Sequence, residues 1–384
     1  ALIAPVVSEF YNEPELTKLI LAASLAFLVQ PFGQQFMILW QKEMRFSETA
    51  KIDIANKLVS LLASVYLAYK GHGVYALVYG VLAGVITQTS IFLYIGLKEH
   101  RPSFVFKIGE IKEFLSFGAY QMGEKTINYI SANIDKILIG KFIGMEALGF
   151  YNLAWQLIIF PLAKINPVVN KVAFPLYAKV QHDIEKLSSY YTKSLSALFL
   201  ITVPLLVFMF FYSSEIVYLV YGQGWETTSE LLSILVIVGL LKATGNPSGA
   251  LILAIGRVDF GFWWNLAWAI LVSCVLYITM LNSDDIMNVA YSLLVLTLFT
   301  SYIYHFLVQR VSKVHYKQLV KNFFKVLIVS LLFGVISYVS LNIFNVDNYL
   351  LRLIIGYIIG LSLYGLYVKQ YEMKIINLFL KKEV

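Results

Sequence analysis

Charged residues are scarce in this chain. Asp, Glu, Lys and Arg make up 14% of its 384 residues, whereas soluble domains hold about 25%. Apolar residues make up 59%, against about 45–50% in soluble domains. So few charges would not cover the surface of a water-soluble protein of this length. The composition therefore excludes that class and indicates a membrane protein.

Motifs for ATP hydrolysis, metal binding and disulfide formation are also missing. The one cysteine, Cys274, excludes an intramolecular disulfide framework and a cysteine-based metal site. The sequence contains no G-x-x-x-x-G-K-[ST] phosphate loop and no H-E-x-x-H pair. The loops between apolar stretches are too short for a soluble catalytic domain. We therefore expect no ATP-driven motor and no bound cofactor, and an enzyme of this kind would have to act on a lipid within the membrane.

Long apolar stretches follow one another along the chain. About 20 apolar residues in a helix cross a hydrocarbon core of about 30 Å, and lipid offers the backbone no hydrogen-bond partners. The sequence therefore predicts an all-α polytopic membrane protein with about eleven transmembrane helices. The predicted spans are 15–40, 48–69, 73–97, 113–141, 147–178, 190–212, 226–255, 259–281, 286–309, 322–344 and 349–369.

The loops between these spans alternate in charge. One set of loops, together with the C-terminal tail, holds twenty lysines and arginines, and the other set holds three. Because cytoplasmic loops are enriched in Lys and Arg, the first set is predicted to face the cytoplasm, as is the C-terminus. Topology thus accounts for the net charge of +7, and no nucleic-acid partner is expected.

Two predicted spans share a Pro-x-Gly pattern, with Pro31 and Gly33 in one and Pro247 and Gly249 in the other. Proline interrupts a helix, and broken helices in matching places of two halves are typical of transport sites. The pattern predicts hinges there, and Pro167 predicts another. Coincidence is the alternative, because Pro and Gly are common in membrane helices.

Charged residues also lie deep inside three predicted spans. Glu124, Lys125, Lys164 and Lys242 are roughly 16–21 Å from the cytoplasmic ends of their helices. A charge at the bilayer centre costs about 2.5–3.5 kcal/mol and usually faces a bundle interior or a wet cavity. Polar residues accompany them, namely Gln121, Asn128, Ser131 and Asp135 on one helix and Asn166, Asn170 and Lys171 on the next. Two interpretations are open: a hydrated cationic cavity for an anionic headgroup, or buried ion pairs that only hold helices together.

A series of motifs between residues 117 and 183 is more specific. They are Asn133-x-Asp135-Lys136, Gly140, Gly144, Leu148-Gly149-x-Tyr151-Asn152, Pro161, Ile165-Asn166-Pro167, Phe174-Pro175 and Gln181-x-Asp183. Later matches include Tyr221-Gly222-x-x-Trp225 and Asn246-Pro247-x-Gly249. With these motifs, nearly the whole chain resembles the polysaccharide flippases of the MOP exporter superfamily, in particular the Wzx-type colanic and teichuronic acid exporters.

The resemblance implies two six-helix lobes and two extra C-terminal helices. Residues 1–100 would form a partial N-terminal lobe, lacking the first two helices and most of the third, and 101–112 a cytoplasmic linker. Residues 113–310 would form the C-terminal lobe, and 311–384 two additional spans with a cytoplasmic tail. The resemblance further implies a monomer in a bacterial or archaeal cytoplasmic membrane, with membrane lipids and polysaccharide assembly proteins as partners.

The function implied by the resemblance is the flipping of an undecaprenyl-pyrophosphate-linked oligosaccharide by alternating access. The residues that would bind its pyrophosphate or acidic sugars are Lys125, Lys164, Lys171, Lys242, Asn128 and Asn166. Glu124 and Asp135 would carry a coupling Na⁺ or proton. Two alternatives stay open: a multidrug antiporter of the same superfamily, which the lysines disfavour, and an intramembrane oligosaccharide polymerase or ligase, which the lack of a large outer loop disfavours.

Overall fold

The computed structural model describes residues 2–100, 118, 122, 125–126 and 129–372, without the side chains of residues 168, 171, 246, 258, 371 and 372. Every regular element in these ranges is helical. The chain divides into two compact units, Ala1–Gln121 and Met122–Val384. The predicted linker 101–112 lies outside the described residues.

Ten helical segments among the described residues are long and apolar enough to cross a membrane. They are Glu15–Lys42, Phe46–Tyr69, Tyr75–Glu99, Met145–Pro167, Ile184–Phe211, Glu226–Ala254, Asp259–Asn282, Ile286–Ser312, Lys317–Ile343 and Tyr349–Gln370. They confirm ten of the eleven predicted spans and the all-α class. The remaining predicted span, 113–141, is described only in part, mainly from residue 129 onward.

The described part of the first unit contains four helices. They are α1 (Ala4–Tyr11), α2 (Glu15–Lys42), α3 (Phe46–Tyr69) and α4 (Tyr75–Glu99). Helix α4 packs on both α2 and α3, with Phe36, Trp40, Ile52 and Phe92 in a small core. Gly84 lets α4 approach α3 closely, because a Cβ there would lie 2.8 Å from the Asn56 carbonyl oxygen. Small residues at such contacts are typical of membrane helix pairs.

The break predicted at Pro31 and Gly33 is wrong. Helix α2 continues from Glu15 to Lys42 with Pro31 inside it. A proline removes a single backbone hydrogen bond, and membrane helices tolerate this loss. Gly33 is needed for packing instead, because a Cβ there would lie 2.9 Å from the Thr89 Cα of α4.

The second unit contains ten α-helices whose two ends both lie among the described residues. They are α5 (Ile134–Phe142), α6 (Met145–Lys179), α7 (Ile184–Phe211), α8 (Ser213–Tyr221), α9 (Glu226–Ala243), α10 (Gly245–Ala254), α11 (Val258–Asn282), α12 (Ile286–Ser312), α13 (Lys317–Ile343) and α14 (Tyr349–Tyr367). Side-chain caps begin three of them: Asp183, Asp285 and Asn348 each accept a hydrogen bond from a backbone N–H of the first turn. Such caps satisfy donors that have no partner inside the helix.

Helix α9 lies at the centre of this unit. It packs against α6, α7, α8 and α12, and residues such as Leu231, Leu235 and Val238 are fully buried. Helix α13 packs on α7 and also on α14. The last two helices therefore belong to the same compact unit as α5–α12.

The hinge predicted at Pro167 lies in a continuous helix, whereas the hinge predicted at Pro247 and Gly249 lies near a break. Helix α6 runs without interruption from Met145 to Lys179 with Pro167 inside it, so no break is present there. A break does occur near Pro247, but at Thr244, between the end of α9 and the start of α10. Pro247 is the third residue of α10, where its missing N–H is not needed by the new helix, and Gly249 follows within that helix. Whether any of these positions moves as a hinge stays a prediction.

A buried ion pair joins the first turn of α14 to α8. The Arg352 Nε donates to Glu215 Oε1 at 2.8 Å, and the two side chains are 14% and 7% exposed. The same guanidinium donates to the Val346 carbonyl at 3.1 Å and to Asn342 Oδ1 at 2.8 Å. Arg352 thus ties α8, the end of α13 and the turn before α14 together.

Candidate functional site

The second unit holds a cavity of about 660 Å³ between α9, α11 and α12. Residues 131–132 and the start of α10 complete its wall. One wall residue, Lys242, is the last but one of α9 and lies 12 residues before Ala254. At about 1.5 Å per residue, this is about 18 Å from the end of the span. The cavity therefore reaches about half-way across a hydrocarbon core of about 30 Å.

Two tryptophans hold the ammonium group of Lys242. Its Nζ lies 4.9 Å from the ring centroid of Trp155 on α6 and 5.4 Å from that of Trp268 on α11. Such cation–π contacts contribute about 0.5–2 kcal/mol each. Lys242 forms no ion pair with any described residue, although the charges of Asp135 and Lys136 act on it. The cavity thus contains a lysine that forms cation–π contacts and no ion pair with a described carboxylate.

The rest of the wall combines aromatic rings with uncharged polar groups. Trp264 and Tyr304 are in ring contact, with centroids 4.9 Å apart, and Phe262 adds a third ring. The polar groups of the wall include the side chains of Ser131, Thr244, Asn265, Thr297, Thr300, Ser301 and His305. A pocket with aromatic surfaces and a few hydrogen-bonding groups is typical of small-molecule sites. It suits a sugar, which has apolar C–H faces and a rim of hydroxyls.

The predicted lysines do not all line this cavity. Among its described wall residues, Lys242 is the only one of the four. Lys125 and Lys164 have exposed side chains elsewhere in the unit, and the side chain of Lys171 lies outside the described part. Their convergence on one path, and any contact of these lysines with a substrate, stay predictions.

The predicted polar partners are described only in part. Glu124 and Asn128 lie outside the described residues. The amide oxygen of Asn166 is buried and has no hydrogen-bond partner among the described residues, and the same holds for Asn170 one turn later. These two amide oxygens could accept a hydrogen bond from a ligand or from water, and the role of Asn128 and Asn166 as binding groups stays a prediction.

Asp135 occupies a closed environment. It is 8% exposed and accepts hydrogen bonds from the buried Tyr151 hydroxyl at 2.6 Å and from the Lys136 backbone N–H at 2.9 Å. Tyr151 itself is fully buried in the core. Each carboxylate oxygen of Asp135 therefore accepts a hydrogen bond, one from α5 and one from α6. The role of Asp135 in ion coupling stays a prediction.

Sequence reasoning missed the tryptophans of α11 and the histidine of α12. Trp264 and Trp268 are four residues apart and share one helix face. Thr297, Thr300 and Tyr304 follow a spacing of three and four on α12, which makes a polar stripe on a predicted span. These two stripes are the available signal, whereas charge alone indicates residues 113–178 and Lys242.

Comparison with known proteins agrees with this arrangement of helices. Residues 1–230 match the sequence profile of a family described as polysaccharide biosynthesis protein. The chain is also 32% identical, over 338 residues, to the teichuronic acid biosynthesis protein TuaB of Bacillus subtilis, covering 87% of this chain and 69% of that protein. The chain belongs to the polysaccharide biosynthesis protein family. The resemblance drawn from the motifs is thereby confirmed.

Further relatives of this family member are named for lipopolysaccharide and amylovoran biosynthesis. The chain is 35% identical to the lipopolysaccharide biosynthesis protein WzxC of Escherichia coli, covering 69% of this chain and 54% of that protein. It is 33% identical to the amylovoran biosynthesis protein AmsL of Erwinia amylovora, covering 70% of each chain. The family member therefore spans between about half and 70% of the length of these relatives.

A solved structure has the same fold as this family member. The lipid II flippase MurJ, in an inward closed conformation, superposes with a TM-score of 0.74 over 94% of this chain and 75% of the other. The identity is 16%, so the likeness establishes the fold alone. The helices of the polysaccharide biosynthesis protein family member thus follow a known membrane architecture.

Proposed function

We propose that the chain is a transporter that flips an undecaprenyl-pyrophosphate-linked oligosaccharide across the cytoplasmic membrane. The family and the names of its relatives support this function. The observation that carries it is the Lys242 ammonium, held over two indole rings at mid-depth in an aromatic and hydroxyl-lined cavity. A polar headgroup with an anionic linkage needs such surroundings to cross the hydrocarbon core.

The cavity matches the two chemical parts of that headgroup. Lys242 would donate hydrogen bonds to pyrophosphate oxygens, and a hydrogen bond to a charged group contributes about 1.5–3 kcal/mol. Trp264, Trp268 and Tyr304 would pack on sugar faces, while Asn265 would bind sugar hydroxyls. The polyprenyl tail, which is as apolar as lipid, would stay in the bilayer.

Transport would proceed by alternating access, with the cavity open to one side of the membrane at a time. The excess of lysine and arginine in one set of loops supports a cytoplasmic C-terminus. Coupling to Na⁺ or a proton through Glu124 or Asp135, a cationic path that includes Lys125, Lys164 and Lys171, and a monomeric state belong to the same proposal.

The test is flipping of labelled lipid-linked oligosaccharide in proteoliposomes. Lys242→Met is expected to slow flipping by about 10–100-fold, the equivalent of one lost charge-assisted contact, while Lys242→Arg should retain most of the rate. Lys179→Met, an exposed lysine at the end of α6, is the matched control and should flip at the parent rate.

Two results would contradict the proposal. Parent-like flipping by Lys242→Met would remove the cationic cavity from the mechanism. Longer glycans on the lipid carrier, made without net translocation, would indicate a polymerase instead.

A further inference from the structure

A chain of hydrogen-bonded side chains begins at the wall of the cavity. The His305 Nε2 lies 2.8 Å from Thr244 Oγ1, and its Nδ1 lies 3.3 Å from the Tyr316 hydroxyl. The Tyr316 hydroxyl lies 2.8 Å from that of Tyr191, which lies 2.7 Å from Ser248 Oγ. Five segments of the unit contribute one residue each: α12, the α9–α10 junction, the residue before α13, α7 and α10.

The hydroxyls of this chain are well shielded, since Tyr191 and Ser248 are fully buried and Tyr316 is 7% exposed. His305 is partly exposed and borders the cavity. Buried hydroxyls must be hydrogen-bonded, so a purely structural network would account for the tyrosines and the serine. It does not account for a titratable ring at the place where the chain borders the cavity.

The direction of the hydrogen bonds around Thr244 shows which ring nitrogen of His305 carries a hydrogen. The Thr244 hydroxyl donates to the Leu241 carbonyl at 2.7 Å, so its oxygen accepts from the His305 Nε2–H. In the neutral ring Nδ1 is then an acceptor, and the Tyr316 hydroxyl donates to it.

Every bond can also be satisfied when the ring is protonated. The Nδ1–H then donates to Tyr316, Tyr316 donates to Tyr191, and Tyr191 donates to Ser248. Ser248 in turn donates to the Thr244 carbonyl, which lies 3.2 Å away. Because hydroxyl hydrogens rotate freely, the chain changes direction without moving a heavy atom. The network therefore accommodates both charge states of His305.

Few charged groups around His305 compete with its ring for a proton. On the elements that pack against α12, the relevant groups are Lys242 of α9 and the Arg257–Asp259 pair at the start of α11, whose exposed side chains bond each other at 2.9 Å. Helix α10 carries no titratable residue. The other titratable neighbours are phenols, including Tyr304, whose ring lies 5.5 Å from that of His305. No described carboxylate forms an ion pair with His305.

We propose that His305 is a proton-binding site of the transporter, in addition to the carboxylates named above, where uptake of a proton from cavity water is coupled to binding of the anionic substrate. The proposal rests on the function proposed above. The proton adds to the Nδ1 lone pair and later returns to water, so no other bond is made or broken. A protonated His305 and Lys242 give the cavity two positive charges, and a bound pyrophosphate supplies the counter-charge. By linkage, each binding event then favours the other.

The first test measures proton uptake without any transport. Undecaprenyl pyrophosphate is added at pH 7 to protein in weakly buffered nanodiscs that contain a pH-sensitive dye, and empty nanodiscs are subtracted. The parent is expected to take up about half a proton or more per protein, because the bound pyrophosphate stabilises the protonated ring. His305→Gln, which cannot titrate, should lack this uptake, and Tyr316→Phe, which removes the acceptor of the Nδ1–H, should reduce it.

The second test imposes a pH gradient on the proteoliposomes used for flipping. The readout is the ratio of flipping rates with and without the gradient, which we expect to be about five or more for the parent and one for His305→Gln. His315→Gln is the matched control, because this exposed histidine bonds Glu185 at 3.2 Å and lies outside the chain.

The outcomes separate the two proposals. Equal proton uptake by the parent and His305→Gln would overturn the inference whether or not the protein flips its lipid. A parent that takes up protons but does not flip would overturn the proposed function alone. If His305→Gln fails to fold, Tyr316→Phe decides, and parent-like uptake and gradient response in that variant would count against the relay.

Discussion

We expect Arg352→Leu to destabilise the second unit by about 3–5 kcal/mol, the cost of leaving one member of a buried ion pair alone. The change removes the guanidinium that lies 2.8 Å from Glu215 Oε1. In the described part of the chain, the Glu215 carboxylate has no other hydrogen-bond partner. It would therefore remain buried, charged and unpaired between α8 and α14.

The expected loss of unfolding free energy is shared unevenly among the hydrogen bonds of Arg352. Its bond to Asn342 is exposed, so water can replace it, and its bond to the Val346 carbonyl lies near the end of α13. A hydrogen bond between charged groups contributes about 1.5–3 kcal/mol, and desolvation of the abandoned partner adds to the loss. Most of the loss should thus originate at Glu215. The double variant Arg352→Leu, Glu215→Leu should then be close to the parent, because it removes both buried charges.

These free energies are measured by equilibrium unfolding in mixed detergent micelles, with tryptophan fluorescence as the readout. Five of the six tryptophans lie in the second unit. The parent, the two single variants and the double variant form a thermodynamic cycle. The matched control is Asp259→Leu, which breaks an exposed pair of 2.9 Å and should change stability little. The reasoning is refuted if Arg352→Leu costs less than about 1 kcal/mol, or if the double variant loses the sum of the single losses.

Two further predictions concern packing and hydrogen bonding in the second unit. Gly356→Ala is expected to destabilise it by about 1–3 kcal/mol, because the added Cβ would lie 2.5 Å from Tyr212 Cζ. Gly261→Ala, in open space inside α11, should be neutral or stabilising by up to about 1 kcal/mol, and equal melting shifts of the two variants would contradict the packing argument. Tyr151→Phe should cost about 1–3 kcal/mol, because it leaves an oxygen of the buried Asp135 unpaired. The same change in an Asp135→Leu background should cost clearly less, and an equal loss of unfolding free energy in both backgrounds would sink the explanation.

Hydropathy predicted most of the fold because each span is a local property of the sequence. A stretch such as 286–309 must be helical wherever it packs, since lipid leaves its backbone no alternative. The same local reasoning failed at Pro31, where a proline suggested a break and α2 continues. The missing hydrogen bond is a small local loss, whereas the contact of Gly33 with α4 depends on a helix more than 40 residues away.

The candidate site was predictable only where a charge stood out. Lys242 attracted attention because a lysine at mid-depth needs an explanation. The groups around it gave weaker signals, since a tryptophan in a membrane helix usually fills space. The bond between Thr244 and His305 joins residues 61 positions apart. No periodicity within one helix indicates such a pair, because the packing of α9 against α12 creates it.

The way Lys242 is held has a consequence for the speed of exchange. The faces of Trp155 and Trp268 attract its charge but take none of its three N–H donors in a directed bond. A lysine paired with an aspartate would have to break that salt bridge before it could bind an incoming phosphate. Because none of the three donors is hydrogen-bonded to a described residue, all three can turn toward an incoming phosphate and away again. A transporter must release its substrate on the far side of the membrane. It benefits when the bonds between lysine and phosphate form and break without the loss of an existing salt bridge.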